Sequence, residues 1–243
     1  MKYYELTCIA YLKKDINFKN SFETINKYIS YSMAQSSNLK DLHNKNKFKH
    51  YTFDIFYPTE KSQIYHKNHT YNFNIRSIDE NFINTISTTL RENINNPNIQ
   101  ILQTNKRIIK QQFITELYTA TPTIISIDNG LYWTAEKDGD ILKLQKQLHD
   151  NLEKKYQDFF EEPIQSQQNF IQLLEIKNKY PQSIYTTKKI KDKIIDIRLF
   201  GNKFIIVPNE DEVSQKLAFI ALACGLGEKN SYGGGFCLGR GIR

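Results

Sequence analysis

The hydrophobic positions in the first half of the chain switch between the period of strands and the period of helices. Strand-like patterns cover residues 2–13, 48–57, 64–76 and 99–114, the last as a single strand or a bent hairpin. Helical spacing gives two apolar stripes: Phe22, Ile25, Ile29 and Met33, and then Phe82, Ile83, Ile86 and Leu90. Asp79 is predicted to cap the second helix, whereas residues 34–47 are polar and basic without a period. The predicted order is β-α-β-β-α-β, the ferredoxin-like unit.

The second half repeats this order of elements, although the two halves do not align as a sequence repeat. Strands are predicted at residues 115–127, 169–178, 183–190 and 194–207, the last as a hairpin that turns at Gly201-Asn202. An apolar stripe marks a helix from about 140 to 160, and Asn209 is predicted to cap a final helix. We therefore expect an α+β protein of two tandem ferredoxin-like domains, residues 1–115 and 116–243, with antiparallel sheets and helices on one face.

The charge of the chain favours a polyanionic partner. The formal net charge is +7 and the isoelectric point is about 9.1, which indicates nucleic acid more than an anionic membrane. Lysine, isoleucine and asparagine are abundant throughout, as an AT-rich coding sequence would produce, so charge alone does not decide the partner. No segment approaches the ~18 apolar residues of a membrane helix, and the N-terminus lacks the apolar run of a signal peptide. We expect a soluble, cytoplasmic protein with no membrane partner.

Neither the cysteines nor the carboxylates have the pattern of a metal site. Cys8, Cys224 and Cys237 lack metal-ligand spacing and lie among apolar neighbours, so we expect them in the core. The acidic pairs and triplets lie near turns or helix starts, where carboxylates are favoured for other reasons. The sequence therefore predicts no metal and no other cofactor.

Glycine is concentrated at the C-terminal end: seven of the ten glycines lie in the last 19 residues. Glycine is needed where the backbone takes a positive φ or approaches another group closely, and backbone N–H groups on such a loop bind phosphate oxygens. Here the glycines follow a predicted helix and precede a strand, which is the reverse of a dinucleotide-binding loop, and no Walker motif is present. A phosphate-bearing ligand is predicted near this end; the alternative is a helix cap at Gly225 followed by a flexible tail.

The glycine-rich segment also resembles a known signature. The sequence GLGEKNSYGGGF at residues 225–236, preceded by strand, Gly201, strand and helix, resembles the C-terminal signature of the CRISPR-associated RAMP proteins. It is most similar to that of the Cas6 endoribonucleases, which cut precursor CRISPR RNA within each repeat; only Gly234 departs, since a bulkier residue is commoner there. The resemblance implies that repeat RNA is the partner and that the segment binds it through Gly225, Gly227, Lys229, Asn230, Ser231, Gly233 and Gly235.

Basic residues elsewhere extend this predicted RNA surface. The strand region before the glycine-rich segment is predicted to bind the RNA backbone through Lys188, Lys189, Lys191 and Arg198. A second basic patch is formed by Lys106, Arg107 and Lys110. Runs of charge are also typical of ordinary solvated faces, so each patch remains a hypothesis.

RNA cleavage without a metal needs a base, an acid and positive charge beside the phosphate. His43 lies in the most basic aperiodic stretch of the first half, where neighbouring lysines disfavour the charged imidazole. The resemblance implies His43 as general acid or base, Tyr28 as its partner at the 2′-hydroxyl and Lys49 at the scissile phosphate. Tyr31, Lys45 and Lys47 are alternative helpers. His50 is predicted to lie on the opposite strand face from Lys49, and His149 on the surface.

The predicted function is a metal-independent endoribonuclease that cleaves precursor CRISPR RNA within repeats by 2′-hydroxyl attack. Its products would carry a 5′-hydroxyl and a 2′,3′-cyclic phosphate. Two alternatives stay open: a non-cleaving RNA-binding RAMP subunit of a CRISPR effector complex, and a ferredoxin-like module that binds a nucleotide or metabolite. The cut position, association with an effector complex and homodimer formation are not readable from the sequence.

Overall fold

The N-terminal half forms the first of two ferredoxin-like units. The computed structural model describes residues 1–44, 47–190 and 193–242. The elements of this half are β1 (Lys2–Leu12), β2 (Ile16–Asn17), α1 (Ser21–Gln35), α2 (Ser37–Asn44), β3 (Tyr51–Phe53), β4 (Ile64–Tyr65), β5 (Thr70–Ser77), α3 (Glu80–Glu92) and β6 (Ile99–Lys110). The antiparallel sheet has the order β3-β5-β1-β6, while β2 and β4 form a separate two-stranded ribbon.

The C-terminal half repeats this topology and inserts a hairpin into it. Its elements are β7 (Phe113–Thr119), α4 (Ile141–Phe160), β8 (Ile171–Ile176), β9 (Gln182–Ile190), β10 (Lys193–Gly201), β11 (Phe204–Pro208), α5 (Glu212–Cys224) and β12 (Cys237–Ile242). The second sheet has the order β12-β7-β11-β8, so in both sheets the first and third strands of the unit are central. The predicted fold class, tandem ferredoxin-like α+β domains with antiparallel sheets, is confirmed.

The apolar stripes predicted for α1 and α3 form the first core. All eight of their residues are buried, and the Asp79 carboxylate caps α3 by accepting hydrogen bonds from the N–H groups of Asn81 and Phe82. The cap predicted at Asn209 is wrong, because Asp211 caps α5 through the N–H of Ser214. The three cysteines are buried, as predicted. Within the described parts of the chain, no helix is long and apolar enough to cross a membrane.

Several predicted segments differ from the structure. The strand predicted at 48–57 is reduced to β3, and the strand predicted at 64–76 divides into β4 and β5. The aperiodic stretch 34–47 contains α2, a short helix whose eight residues give too few turns for a clear period. The hairpin predicted at Gly201-Asn202 is wrong: β10 pairs with β9, and β11 belongs to the second sheet. Where the chain crosses between the two sheets, the Thr123 N–H donates to the Asn202 carbonyl at 2.9 Å, and a Cβ at position 201 would lie 2.1 Å from the Thr123 carbonyl oxygen.

The inserted β9–β10 hairpin packs against the first domain. Ile184 and Leu199 are buried in the N-terminal core, beside α1. Glu23 of α1 accepts a hydrogen bond from the backbone N–H of Thr187 at 2.9 Å, and Lys27 donates to the Thr187 hydroxyl at 2.8 Å. The hairpin therefore joins the two domains, although its sequence lies within the second.

Candidate RNA-binding and cleavage site

A cavity of about 820 Å³ lies where the two domains meet. One wall is the segment from Lys47 to Tyr51, which leads into β3. The other wall is the glycine loop, defined here as residues 225–236. Lys155 and Asp158 of α4, Lys188 of β9 and Cys224 of α5 complete the lining. The cavity thus joins the basic segment of the first domain to the glycine-rich segment of the second.

The glycines of the loop are required by its backbone. Gly225, Gly227, Gly233 and Gly235 all have φ between 65° and 90°, the left-handed region that favours glycine. At Gly235 a Cβ would also lie 1.9 Å from the carbonyl oxygen of Leu226. These residues therefore need glycine for the shape of the loop, whatever the loop binds.

The loop is an ordered structure and not a flexible tail. Its two ends are joined by a hydrogen bond from the Leu226 N–H to the Gly235 carbonyl at 2.8 Å. The loop also bonds to the second domain, where the Glu228 N–H donates to the Ile124 carbonyl at 2.7 Å. Asn26 of α1 donates to the Ser231 carbonyl at 2.6 Å, so both domains support the loop.

Three consecutive N–H groups of the loop remain available to a ligand. Among the described residues, the backbone N–H groups of Lys229, Asn230 and Ser231 have no acceptor, and all three residues line the cavity. The side chain of Asn230 is bonded within the loop, because its amide nitrogen donates to the carbonyls of Leu226 and Gly234. The predicted contact of Asn230 with RNA is therefore restricted to its backbone.

Lys155 of α4 is a residue that the sequence analysis missed. It is 3% exposed, and its ammonium donates to the carbonyls of Gly225 and Gly227, both at 2.7 Å, and to the Asn230 amide oxygen at 2.8 Å. Burial lowers the pKa of Lys155 to about 8, and Glu228 opposes this. Its position three residues after buried Leu152, on the apolar stripe of the helix, is the signal that could have found it.

His149 lies on the same inner face of α4, and its prediction as a surface residue is wrong. Its side chain is buried, and its Nδ1 accepts a hydrogen bond from the Phe170 N–H at 3.0 Å. The Nε2 atom lies 3.1 Å from a Glu153 carboxylate oxygen. This histidine joins α4 to the start of β8 and lies away from the cavity lining.

The cavity is electropositive. Among the described residues its lining carries five lysines and two carboxylates, namely Lys47, Lys49, Lys155, Lys188 and Lys229 with Asp158 and Glu228. Burial lowers the pKa of Lys49. The Glu228 carboxylate accepts a hydrogen bond from the Ser126 hydroxyl at 2.6 Å, so it takes part in holding the loop against the second domain. Such a lining favours a polyanion.

His50 faces the cavity beside Lys49, so its prediction on the opposite face of a strand is wrong. The alternation of a strand does not apply, because β3 begins only at Tyr51 and His50 has a φ of 48°. Its Nε2 atom lies 2.7 Å from an Asp158 carboxylate oxygen. Burial lowers the pKa of His50, and the Asp158 carboxylate opposes the shift. This pair ties the first wall of the cavity to α4.

Tyr28 lies in the core and not in the cavity. Its side chain is fully buried, and its hydroxyl donates to the carbonyls of Leu90 and Asn93 at 2.7 and 3.0 Å and accepts from the Ile101 N–H at 3.3 Å. Burial raises the pKa of Tyr28 to about 12. This geometry corrects the expected catalytic role, because the hydroxyl is enclosed by backbone groups. Tyr31, one turn later on α1, is 53% exposed.

The remaining predicted residues fall into three groups. His43 belongs to the last turn of α2, four residues before Lys47, but its side chain lies outside the described residues, as do Lys45, Lys191 and the side chain of Lys189. Lys49, Lys188 and the loop residues are brought together, whereas Arg198 is exposed on β10 opposite Tyr185. In the second basic patch, Arg107 pairs with Glu5 and Lys106 with Glu80, which offsets part of its charge.

The comparisons with known proteins agree on one family. The family model described as CRISPR associated protein Cas6, C-terminal, matches residues 102–238, more than half of the chain. The CRISPR-associated endoribonuclease Cas6 2 of Methanocaldococcus jannaschii is 27% identical, over 89% of this chain and 92% of that protein.

Solved structures show the same fold. A CRISPR associated protein Cas6 superimposes with a TM-score of 0.67 at 21% identity, covering 98% of this chain and 99% of the other. A RAMP protein described as binding different RNA substrates gives 0.62 at 15% identity, with coverage of 98% and 99%. A Cas6-related protein from Pyrococcus furiosus gives 0.60 at 15% identity, with coverage of 97% and 98%. The chain belongs to the Cas6 family.

Proposed function

We propose that this protein is a metal-independent endoribonuclease that cleaves precursor CRISPR RNA within its repeats. Membership of the Cas6 family, and the Methanocaldococcus jannaschii relative named as an endoribonuclease, support an endoribonuclease of CRISPR RNA processing. The observation that carries the finer proposal is the electropositive cavity. There the segment that follows His43 meets a glycine loop with three consecutive N–H groups that have no acceptor among the described residues.

The glycine loop binds the RNA backbone in this proposal. The N–H groups of Lys229, Asn230 and Ser231 donate to phosphate oxygens, and the Lys229 ammonium adds positive charge. Lys188 approaches from the β9–β10 hairpin, and Arg198 of β10 is a further basic residue of this hairpin that we propose for the RNA backbone. Lys189 and Lys191 are proposed contacts from the sequence alone. Contacts of this kind fix the position of the RNA but read little of its sequence.

The proposed reaction is an internal transesterification. The 2′-oxygen attacks the adjacent phosphorus and gives up its proton to a base, while the bond from phosphorus to the 5′-oxygen breaks and that oxygen takes a proton. The upstream product ends in a 2′,3′-cyclic phosphate and the downstream product begins with a 5′-hydroxyl. His43 serves as general acid or base. Lys49 stabilises the charge that develops on the phosphate oxygens.

The structure changes which tyrosine we propose as the partner of His43. Tyr28 is enclosed in the core, so we assign it a structural role. Tyr31 is exposed on the same helix and is the tyrosine we propose as helper, with Lys47 as the second candidate at the phosphate. The cytoplasmic location, assembly with a CRISPR effector complex and homodimer formation remain proposals.

The direct test removes the proposed acid or base. His43→Ala is expected to lower the single-turnover cleavage rate of repeat RNA by about 100-fold or more, since general acid–base catalysis contributes on this order. Affinity for the RNA is expected to stay within about twofold, because phosphate contacts dominate binding. His69→Ala, at an exposed histidine beside the start of β5, is the matched control and should cut at the wild-type rate.

Each contrary result has a distinct meaning. If His43→Ala cuts as fast as wild type, the assignment of His43 is wrong. If the wild-type protein binds repeat RNA and never cuts it, the non-cleaving RAMP subunit is the better description. Equal affinity for repeat RNA and a scrambled RNA of the same length would favour the nucleotide-binding or metabolite-binding module.

A further inference from the structure

The ammonium group of Lys155 is enclosed by the glycine loop. Its three hydrogens have three acceptors, the carbonyls of Gly225 and Gly227 and the side-chain oxygen of Asn230. Two of these acceptors belong to glycines with left-handed backbone, so the ammonium bonds the loop where its path turns. A buried charge is retained at such a position only when its hydrogen bonds are all made.

The bonds of Lys155 continue through the rest of the loop. Asn230, held by Lys155 through its amide oxygen, donates through its amide nitrogen to Leu226 near the start of the loop and Gly234 near its end. The side chain of Asn230 is thereby bonded within the loop, whereas the N–H groups of Lys229 and Ser231 have no acceptor among the described residues. One ammonium group thus organises hydrogen bonds that span residues 225–234.

The same face of α4 also fixes the opposite wall of the cavity. Asp158 lies three residues after Lys155 and bonds His50, which belongs to the segment from Lys47 to Tyr51. Residues three apart lie on one face of a helix, so a single rigid element holds both walls at a fixed spacing.

We propose that Lys155 is a positioning residue for RNA binding: its ammonium sets the glycine loop in the conformation that presents the unpaired N–H groups of residues 229–231 to the phosphates. This inference rests on the proposed function. It assigns Lys155 no contact with RNA, because its three hydrogens are already used within the protein. Its loss is therefore expected to weaken binding while the chemistry on bound RNA continues.

The charge state of Lys155 gives a pH dependence with a definite direction. The titratable groups that face it are His50 before β3, Asp158 on its own helix, Glu228 in the loop, Cys224 of α5 and Cys237 of β12. With a pKa of about 8, the ammonium is largely intact at pH 7 and largely deprotonated at pH 9. A neutral amine has two hydrogens for the three acceptors, so the loop is expected to loosen as pH rises through 8.

The effect on global stability has the opposite sign. Because the pKa of Lys155 in the folded chain lies below its ordinary value of 10.5, the unfolded chain binds more protons between these two pH values. The contribution of this group to the free energy of unfolding therefore rises with pH over that range. Weaker RNA binding at pH 9 without loss of stability would thus come from the loop and not from unfolding.

The experiment compares Lys155→Met with Lys154→Met, which removes the same charge from the exposed neighbour on α4. The ligand is repeat RNA with a 2′-deoxy nucleotide at the mapped cut, and hydrogen–deuterium exchange of peptides covering residues 225–236 reports loop order. For Lys155→Met we expect faster loop exchange with unchanged exchange in α5. We also expect RNA binding weaker by about tenfold or more, as for a lost hydrogen bond to a charged group.

Two further readouts separate positioning from a general structural defect. At saturating protein, the single-turnover rate of Lys155→Met on cleavable RNA is expected to stay within about threefold of wild type, since the reacting groups are elsewhere. Between pH 7 and 9 the wild-type protein is expected to lose more affinity than Lys155→Met, which has no ammonium to titrate. Lys49 lines the same cavity, and its titration is common to both proteins.

The outcomes distinguish this inference from the proposed function. Wild-type loop exchange and wild-type affinity in Lys155→Met would overturn the positioning role. Faster loop exchange with unchanged affinity would also overturn it, because the loop's conformation would then not govern binding. If wild type itself does not bind repeat RNA, the proposed function fails. Separately, if the loop exchanges at the same rate in Lys155→Met and in wild type without RNA, the anchoring of the loop by Lys155 is wrong.

Discussion

Tyr28 and Tyr31 lie three residues apart on α1 and have opposite environments. The hydroxyl of Tyr28 bonds three backbone groups in the core, while Tyr31 is exposed. We expect Tyr28→Phe to cleave repeat RNA at the wild-type rate and to be less stable by about 1–3 kcal/mol, because two buried carbonyls lose their donor. Chemical denaturation and a single-turnover assay measure the two effects.

Tyr31→Phe is the matched control for the stability part of this prediction; because Tyr31 is the proposed helper, this variant is the one expected to lose cleavage activity. It removes the same hydroxyl from an exposed position, so its stability should equal that of wild type. A large loss of cleavage in Tyr28→Phe at full occupancy of RNA, with Tyr31→Phe unaffected, would restore Tyr28 to the chemistry.

The sequence contains enough information for residues whose role is local. The cap at Asp79 and the stripe of α1 follow from hydrogen bonding and helical spacing within a few residues, and both are confirmed. The burial of Tyr28 and Lys155 depends on partners more than 60 residues away, such as Leu90 and Gly225. A sequence pattern that reports only the helix face does not separate a buried hydroxyl or ammonium from an exposed one.

At the scale of elements, the glycine loop has a shape that only glycine allows at several positions. Gly235→Ala places a methyl group 1.9 Å from the Leu226 carbonyl oxygen on a backbone with φ of 65°, so we expect it to disrupt the loop and abolish tight RNA binding. Gly130→Ala is the control, since Gly130 has φ of 71° but no atom within 4 Å of the added carbon.

The two variants separate contact from backbone strain. Gly130→Ala carries only the strain of a left-handed residue, about 1–2 kcal/mol, and should bind RNA as wild type does. RNA affinity and hydrogen–deuterium exchange of the loop, measured for both variants, test this difference. Wild-type RNA affinity in a folded Gly235→Ala protein would contradict the role given to the loop.

The elements themselves were predictable where their periods are long and regular. The helix predicted at about 140 to 160 is α4 (Ile141–Phe160), and strand order in both sheets follows from the ferredoxin-like sequence of elements. The pairing of β10 with β9 was missed because a turn signal at Gly201-Asn202 is local, while the actual pairing depends on packing against α1. Tertiary contacts decided between two strand pairings that the local pattern allows equally.

At the scale of the molecule, the cavity exists only because two domains meet. Arg76 of β5 contributes to that contact by donating to the Cys237 carbonyl at 2.5 Å and stacking over Phe236 at 4.3 Å. The basic segment and the glycine loop were each predicted as functional, but their meeting depends on contacts between residues more than 150 positions apart. The sequence pattern therefore indicates the parts of the site but not their arrangement.

Charge at the cavity predicts a measurable salt dependence. Lys188→Ala should weaken RNA binding by a similar factor for repeat and scrambled RNA, because an ammonium at the backbone is indifferent to sequence. The slope of log affinity against log salt concentration should fall by about 1, the value for one lost phosphate contact. Lys61→Ala, at an exposed lysine before β4, is the control and should leave the slope unchanged.

A Lys188→Ala slope equal to that of wild type would place Lys188 outside the RNA-binding surface. A change confined to repeat RNA would instead assign it to base recognition.

Metal-independent cleavage by an internal 2′-hydroxyl fixes the chemical ends of both RNA products. Repeat RNA is incubated with the protein in EDTA, and the ends of both products are mapped, beside RNA with a 2′-deoxy nucleotide at the cut. We predict cleavage in EDTA, a 2′,3′-cyclic phosphate on the upstream product, a 5′-hydroxyl on the downstream product and no cleavage of the deoxy RNA. Cleavage that requires added Mg²⁺ and leaves a 5′-phosphate and a 3′-hydroxyl would contradict the account.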